Sequence, residues 1–434
     1  MTDTIAALAS GRPPAALAVI RLSGPASFAA VQALAGRLPP PRRMSLCRLT
    51  HAGILLDEAL VAIFPGPTSA SGEDLAEFHL HGGPAVVAGV LAALTSLPGI
   101  RLAEPGEYTR RAFANGRMDL AQVEGLADLV SAETASQRDQ ALALAGGALG
   151  RLADQWRERC LMVLAEAEAG LDFAEDEADV AERLDEAARH QLLHMADELA
   201  ALIADSARGA RIRDGLTIAV TGPPNVGKSS LVNSLSMRDA AIVTPIAGTT
   251  RDSIEVPIDL AGIAAVLIDT AGLRDTSDPI EAEGIARARA RAAAADLVIS
   301  VASADAPSWP TPPTNGPAQL RLLNKSDLAQ PTLPPGALAI SAATGAGLPE
   351  LRDWLTHWAQ TTTRPGEPAL LSHARHRAAF ADAETALRDA AHAMEPVLRA
   401  ESLRTAAYAF GRIAGRVGVD DVLDRIFSRF CIGK

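Results

Sequence analysis

The segment Gly222-Pro-Pro-Asn-Val-Gly227-Lys228-Ser229 has the spacing GxxxxGK[ST]. Its glycines let backbone N–H groups turn inward around phosphate oxygens. Lys228 would bridge the β- and γ-phosphates as a catalytic cation, and the Ser229 hydroxyl would ligate Mg²⁺. Asn225, Val226, Gly227 and Ser230 lie in the same turn and complete its nucleotide-binding set. Next comes the polar run Thr244-Pro245-Ile246-Ala247-Gly248-Thr249-Thr250-Arg251-Asp252, in which Thr250 can reach Mg²⁺ and the γ-phosphate. Asp269-Thr270-Ala271-Gly272 follows an apolar run. There Asp269 would hold Mg²⁺ through water, and the Gly272 N–H would sense the γ-phosphate. Asn324-Lys325-Ser326-Asp327 is an NKxD element. The Asp327 carboxylate can accept the two N–H groups of the guanine edge, a donor pair that adenine lacks. Asn324 would accept from the base as well, and Lys325 would pack over the ring. Ser341-Ala342-Ala343 offers backbone N–H groups to guanine O6. All five elements occur in this order, which implies GTP as the ligand. Leu273 stands where many GTPases carry the glutamine that orients the attacking water. An apolar side chain cannot do that, and Arg251, Arg274, Arg287 and Arg289 are merely nearby rather than evident arginine fingers.

These residues need strands and helix starts to hold them. Leu216–Thr221 is an apolar, β-rich run suited to a buried parallel strand, with a helix from Ser230 to Ser236 after the phosphate loop. Apolar runs also precede Asp269, Asn324 and Ser341. Strands thus alternate with helices over 213–362, as in a Ras-like P-loop domain. Residues 1–117 mix short strands, such as Leu17–Leu22 and Leu60–Phe64, with turns and a helix beginning at Pro84. Residues 118–212 and 363–434 share a helical texture, with apolar stripes such as Val123, Leu126, Ala127 and Val130. Breaks are expected at Gly146-Gly147 and at Asp172–Asp179, and Pro307–Pro317 reads as a surface loop. The expected fold class is multidomain α+β and α/β. A small N-terminal α+β domain (1–117) precedes a discontinuous helical domain (118–212 and 363–434), and the P-loop domain (213–362) is inserted into the latter.

Composition narrows the class further. The chain has 434 residues and a net charge of -12, so nucleic acid would have to be met by a local basic surface. Arg101–Arg117, with Arg110, Arg111 and Arg117, is the candidate, and a solvated basic face is its ordinary reading. The three cysteines, Cys47, Cys160 and Cys431, are odd in number and widely spaced, which fits a reducing compartment. Met1–Ser10 has no basic stretch of the kind that opens a secretory signal, and no uncharged apolar run is long enough to cross a bilayer. The expectation is a soluble cytoplasmic protein with no membrane association.

The whole chain resembles the MnmE/TrmE family of tRNA uridine-modification GTPases. The matches are Asn225, Thr244–Asp252 and Asp269-Thr-Ala-Gly-Leu-Arg274 with Glu281 in the GTPase region. In the N-terminal region they are Phe64-Pro-Gly-Pro67, Gly72-Glu-Asp74 and His81-Gly-Gly-Pro84, and at the other end Phe430-Cys-Ile-Gly-Lys434. The resemblance implies K⁺ activation, with Asn225, Thr244, Ile246 and Thr249 around the ion, which offsets charge where an arginine finger would. It implies that Glu281 is catalytic, orienting the attacking water through a second water. It also implies a homodimer through the N-terminal domain, holding 5-formyltetrahydrofolate or a related one-carbon folate by Arg21, Glu77, Arg117 and Lys434. Arg117 stands where the family commonly has lysine, and Ala343 where a basic residue is usual. Cys431 is either a small buried hydrophobe at a helix end or, beside a folate site, a nucleophile. A flavin-containing partner of the MnmG (GidA) type, in a heterotetramer, would bring FAD. Together the two would add an aminomethyl or carboxymethylaminomethyl group to C5 of the wobble uridine of certain tRNAs. A ribosome-assembly GTPase and a regulatory switch GTPase are the alternatives.

Overall fold

The structure, a computed structural model, describes residues 3–173, 178–236, 255–269, 293–309, 317–329, 332–366 and 369–415 with Ile426, Phe430 and Gly433; side chains of 167–185 are outside the description. The chain opens with β1 (Thr4–Leu8), β2 (Leu17–Ser23), α1 (Ser27–Ala35), β3 (Ser45–His51), β4 (Ile54–Phe64) and β5 (Leu75–His81). α2 (Pro84–Thr95), β6 (Ile100–Leu102) and α3 (Glu107–Ala114) follow, then the helices α4 (Leu120–Ser131), α5 (Ala135–Ala145), α6 (Ala148–Phe173) and α7 (Ala178–Asp214). Next are β7 (Leu216–Thr221), α8 (Lys228–Ser236), β8 (Glu255–Asp259), β9 (Ala264–Asp269), β10 (Leu297–Ser303), β11 (Ala318–Asn324) and β12 (Ala337–Ala339). α9 (Leu348–Thr363), α10 (Ala374–His392) and α11 (Pro396–Ile413) come last. The chain divides into two compact units: Met1–Ala127, Leu144–Leu184 and Ala393–Lys434 form the first, and Asp128–Ala143 with Asp185–His392 the second. No helix of the described residues is long and apolar enough to cross a membrane.

In the first unit the sheet order is β3-β4-β5-β2-β1-β6. Alternation along β2 sends Ala18, Ile20 and Leu22 into a core shared with Val31 and Leu34 of α1 and Val90 and Leu94 of α2. The intervening Arg21 is therefore left for the opposite face. α11 packs along α6, where the Trp156 and Phe410 rings stack with centroids 6.2 Å apart. Burial on α6 pushes the Cys160 thiol up to about 12, which keeps it an inert core group.

The reading of Arg101–Arg117 as a solvated basic face fails at Arg111, which is fully buried. Its guanidinium lies 3.0 Å from Asp3 Oδ1, 3.1 Å from Glu73 Oε2 and 3.0 Å from Glu107 Oε1. The carboxylates come from distant parts of the chain, so the charges around 101–117 are largely spent within the fold. Burial alone would push the Glu107 carboxyl up. Hydrogen bonds from Arg101, the Glu104 N–H and Arg111 outweigh it and hold that carboxyl below the usual range. A carboxylate depressed in the folded state stabilises above its unfolded pKa, and that contribution is lost as pH falls through the folded value. Arg111→Met is expected to cost about 3 kcal/mol, because half-buried Glu73 loses the Arg111 guanidinium and buried Glu107 keeps only Arg101. Urea midpoints should show this loss at neutral pH, and a shallower decline than the parent protein on acidification.

The second unit holds the sheet β12-β11-β10-β7-β9-β8, parallel except for β8. The alternate residues Leu216, Ile218 and Val220 of β7 and Leu297, Ile299 and Val301 of β10 share one core with Leu231 and Leu235 of α8 and Leu351 and Leu355 of α9. α7 ends at Asp214 and leads directly into β7. Arg208, near the end of α7, donates to the Thr363 carbonyl at 3.2 Å, and Arg364 reaches back to Asp205 at 2.5 Å. The entry to the sheet domain and the exit from α9 are thus clasped together.

Candidate nucleotide site

The phosphate loop is shaped by residues that only its motif explains. Gly222, Asn225 and Gly227 have φ of 146°, 63° and 90°. A Cβ on Gly222 would stand 2.2 Å from the Val301 carbonyl oxygen, and one on Gly227 would stand 2.3 Å from Asn324 Nδ2. Glycine is therefore required at both places by contact as well as by backbone angle. Lys228, at the start of α8, donates to the carbonyls of Gly222 at 2.9 Å and Pro223 at 2.8 Å. Its charge thus lies over the loop.

β9 runs beside β7, with Asp269 opposite Val220, so strand pairing carries Asp269 to the loop. The Ser229 hydroxyl donates to Asp269 Oδ2 at 2.6 Å. Two hard oxygen donors at the N-terminus of α8 fit Mg²⁺, which would be held by Ser229 directly and by Asp269 through water, and would supply charge neutralisation at the phosphates. The expected ligand Thr250 and the remaining residues of 244–250 lie outside the described residues, as do Thr270, Ala271, Gly272 and Glu281.

On the guanine side, Asn324 is buried and bridges two loops. Its Nδ2 donates to the Val226 carbonyl at 2.8 Å, and its Oδ1 accepts the Ala342 N–H at 3.0 Å. Its carboxamide thus ties the phosphate loop to the Ser341–Ala343 loop. Ser341 is fully buried; its hydroxyl accepts the Thr344 N–H at 3.2 Å and its N–H donates to the Ala346 carbonyl at 2.8 Å, so the Ser341 and Ala342 N–H groups expected at O6 are both engaged within the protein. Lys325 has φ of 61° and its ammonium is 4.0 Å from Asp305. Asp327 is exposed at the loop. Asp305 was missed because no motif marks it; only the parallel pairing of β10 with β11 brings Ser303 opposite Asn324.

In the first unit Arg21 and Glu77 are register partners on β2 and β5. Arg21 donates through Nε at 3.0 Å and Nη2 at 2.8 Å to Glu77 Oε1. His79 Nε2 lies 3.2 Å from Glu77 Oε2, an additional member that period-two spacing from Glu77 could have flagged. The buried Tyr108 hydroxyl, whose pKa burial pushes up, donates to the Arg21 carbonyl and fixes that residue's backbone. Arg117 follows α3 and packs beside Gly72, where a Cβ would meet Arg117 Cγ at 3.2 Å. Cys431 and Lys434 lie outside the described residues, but Gly433 stands against the end of β1, near Leu8 and Ala9.

Comparison with known proteins fits both ends of the chain. A family model for the GTP-binding protein TrmE N-terminus matches residues 4–117, and one for the MnmE helical domain matches residues 120–431. The chain belongs to the MnmE family. MnmE-family relatives match from end to end. The tRNA modification GTPase MnmE of Azorhizobium caulinodans is 50% identical, covering 100% of this chain and 99% of its own. That of Methylorubrum populi is 51% identical, covering 100% and 98%. Among solved structures, the FeoB G-domain from Methanococcus jannaschii is similar to 33% of this chain and 98% of its own at 24% identity, with a TM-score of 0.23. As an MnmE-family chain carrying this phosphate loop and NKxD element, the protein is a P-loop GTP hydrolase.

Proposed function

We propose that this GTP hydrolase is K⁺-activated and acts in modification of the wobble uridine of certain tRNAs at C5. The observation that carries the proposal is end-to-end identity of about half with relatives named as tRNA modification GTPases. In this reading the one-carbon unit comes from a tetrahydrofolate, and an MnmG-type FAD protein is the partner of a homodimer in the cytoplasm. Mg²⁺ is held by Ser229 and Thr250. K⁺ is held by Asn225, Thr244, Ile246 and Thr249, which supplies the charge that an arginine finger would. Glu281 orients water in place of the glutamine that Leu273 replaces. The four-part division at 117, 212 and 362 belongs to the same reading.

Folate would be held by Arg21, Glu77, Arg117 and Lys434, with Cys431 as nucleophile. Support comes from the Arg21–Glu77 pair and from the nearness of Gly433 to β1. Gly433 has φ of 102°, and a Cβ there would stand 2.1 Å from the Leu8 carbonyl oxygen. Gly433→Ala is expected to cost about 1–3 kcal/mol in docking of the tail. Calorimetric titration should then show weaker binding of 5-formyltetrahydrofolate with GTP hydrolysis unchanged.

The deciding experiment is mass spectrometry of tRNA nucleosides from cells lacking the protein. The C5-modified wobble uridine should vanish and return on complementation. Glu281→Ala should bind GTP normally, hydrolyse it at least about a hundredfold more slowly, and fail to restore the nucleoside. An unchanged wobble uridine in the deletion strain would sink the proposal and leave GTP hydrolysis standing.

A further inference from the structure

We infer that the turn joining β8 to β9 is the contact through which the nucleotide site acts on helix α5, with the Ser136 N–H as the group it holds. The hairpin reaches the nucleotide at one end and α5 at the other. At the nucleotide end, β9 finishes in Asp269, whose Oδ2 accepts the Ser229 hydroxyl at 2.6 Å. β8 follows Thr250–Asp252 in sequence, a segment of the kind whose arrangement depends on the γ-phosphate. Between the ends the hairpin is stiff. β8 and β9 pair without interruption from Glu255–Ile268 to Asp259–Ala264, and β9 pairs with β7 along the same length.

The tip is a tight two-residue turn. The Leu260 N–H donates to the Ile263 carbonyl at 2.9 Å, and Ala261 and Gly262 have φ of 54° and 88°. The Gly262 N–H is held by Asp259 Oδ1 at 2.5 Å, and the Gly262 carbonyl accepts the Ser136 N–H at 3.0 Å. Ser136 is the second residue of α5, so its N–H has no acceptor within the helix. The turn therefore supplies a backbone cap that α5 lacks. Gln137 Oε1 accepts the Glu133 and Thr134 N–H groups at 3.0 and 3.1 Å, which fixes the two residues just before α5.

The opposite side of α5 is tied to the chain entering and leaving the nucleotide-binding sheet. Gln137 Nε2 donates to the Arg213 carbonyl at 3.0 Å. Gln140 Nε2 donates to the carbonyls of Gly209 at 3.0 Å and Ala369 at 2.8 Å. Against these side-chain ties, the tip contact is one backbone hydrogen bond at a helix end. A bond of that size changes a local equilibrium by only about fivefold, so it can be made and broken as the nucleotide changes. α5 then carries the chain on into Leu144, where the first unit resumes.

The test compares amide hydrogen exchange over residues 134–143 in the full chain with GDP and with a non-hydrolysable GTP analogue. Parent protein should show a difference of about fivefold or more between the two states, from the gain or loss of one hydrogen bond. Ser136→Pro removes the donor and keeps a residue that a helical first turn accepts. It should abolish the difference while basal GTP hydrolysis stays within about twofold. Gly262→Ala works from the other side and leaves the sequence of α5 unchanged. Its methyl would stand 3.4 Å from the Ala135 Cβ at a backbone angle that disfavours any side chain, so the tip is displaced and the difference should again be lost. Ser136→Ala keeps the N–H and should behave as the parent. Equal exchange in both states of the parent, or a difference that survives in Ser136→Pro and Gly262→Ala, overturns the inference.

Discussion

Asp327→Asn is expected to lower GTP affinity by about a thousandfold and to give the protein a preference for xanthosine triphosphate. The carboxylate accepts two N–H groups of guanine. An asparagine in its place turns one acceptor into a donor, which leaves a guanine donor facing another donor. Loss of a paired recognition contact of this kind discriminates by about 10⁴–10⁵ in sites built around it. The exposed position of Asp327 lowers that figure. Xanthine carries a carbonyl where guanine carries its amino group, so it meets the new amide in the correct sense. Competition of each triphosphate against a fluorescent guanine nucleotide would settle the matter. Equal loss of both would mean that Asp327 supports the loop rather than reads the base.

Lys228→Ala is expected to reduce kcat/KM for GTP by at least about a thousandfold, since the removed cation acts on phosphates in a site of low dielectric. The fold should suffer little. The Lys228 ammonium is spent on the Gly222 and Pro223 carbonyls, which sit in a loop that water reaches once the side chain is gone. Steady-state hydrolysis and a thermal melt on the same sample check both halves. A melt that collapses with the activity would reassign Lys228 to holding the loop closed.

Much of this was legible in the sequence because the nucleotide site is local. Strand, glycine-rich turn and helix start adjoin one another, and Gly222, Gly227, Lys228 and Ser229 carry their spacing on their face. The strands Leu17–Ser23 and Leu216–Thr221 follow from alternation and from continuous apolar character. What sequence could not supply were partners far away in the chain. Arg111 counts as a surface cation until Asp3 and Glu73 are seen to surround it. Asn324 is marked by its motif, but its partners Val226 and Ala342 come from two other loops that the motif does not name. Asp305 belongs to no motif, and only the pairing of β10 with β11 brings it near Lys325.

The clasp of Arg208 on Thr363 has a consequence for how the protein is assembled. Some 150 residues lie between these two positions, yet their ends meet within a hydrogen bond of 3.2 Å. Chain closure of such a long excursion carries an entropic cost that grows only with the logarithm of its length. Once the sheet has formed, its two ends already stand together. The excursion can therefore be lengthened, trimmed at its loops or exchanged for another domain with adjacent termini, and the helices on either side would still find one another.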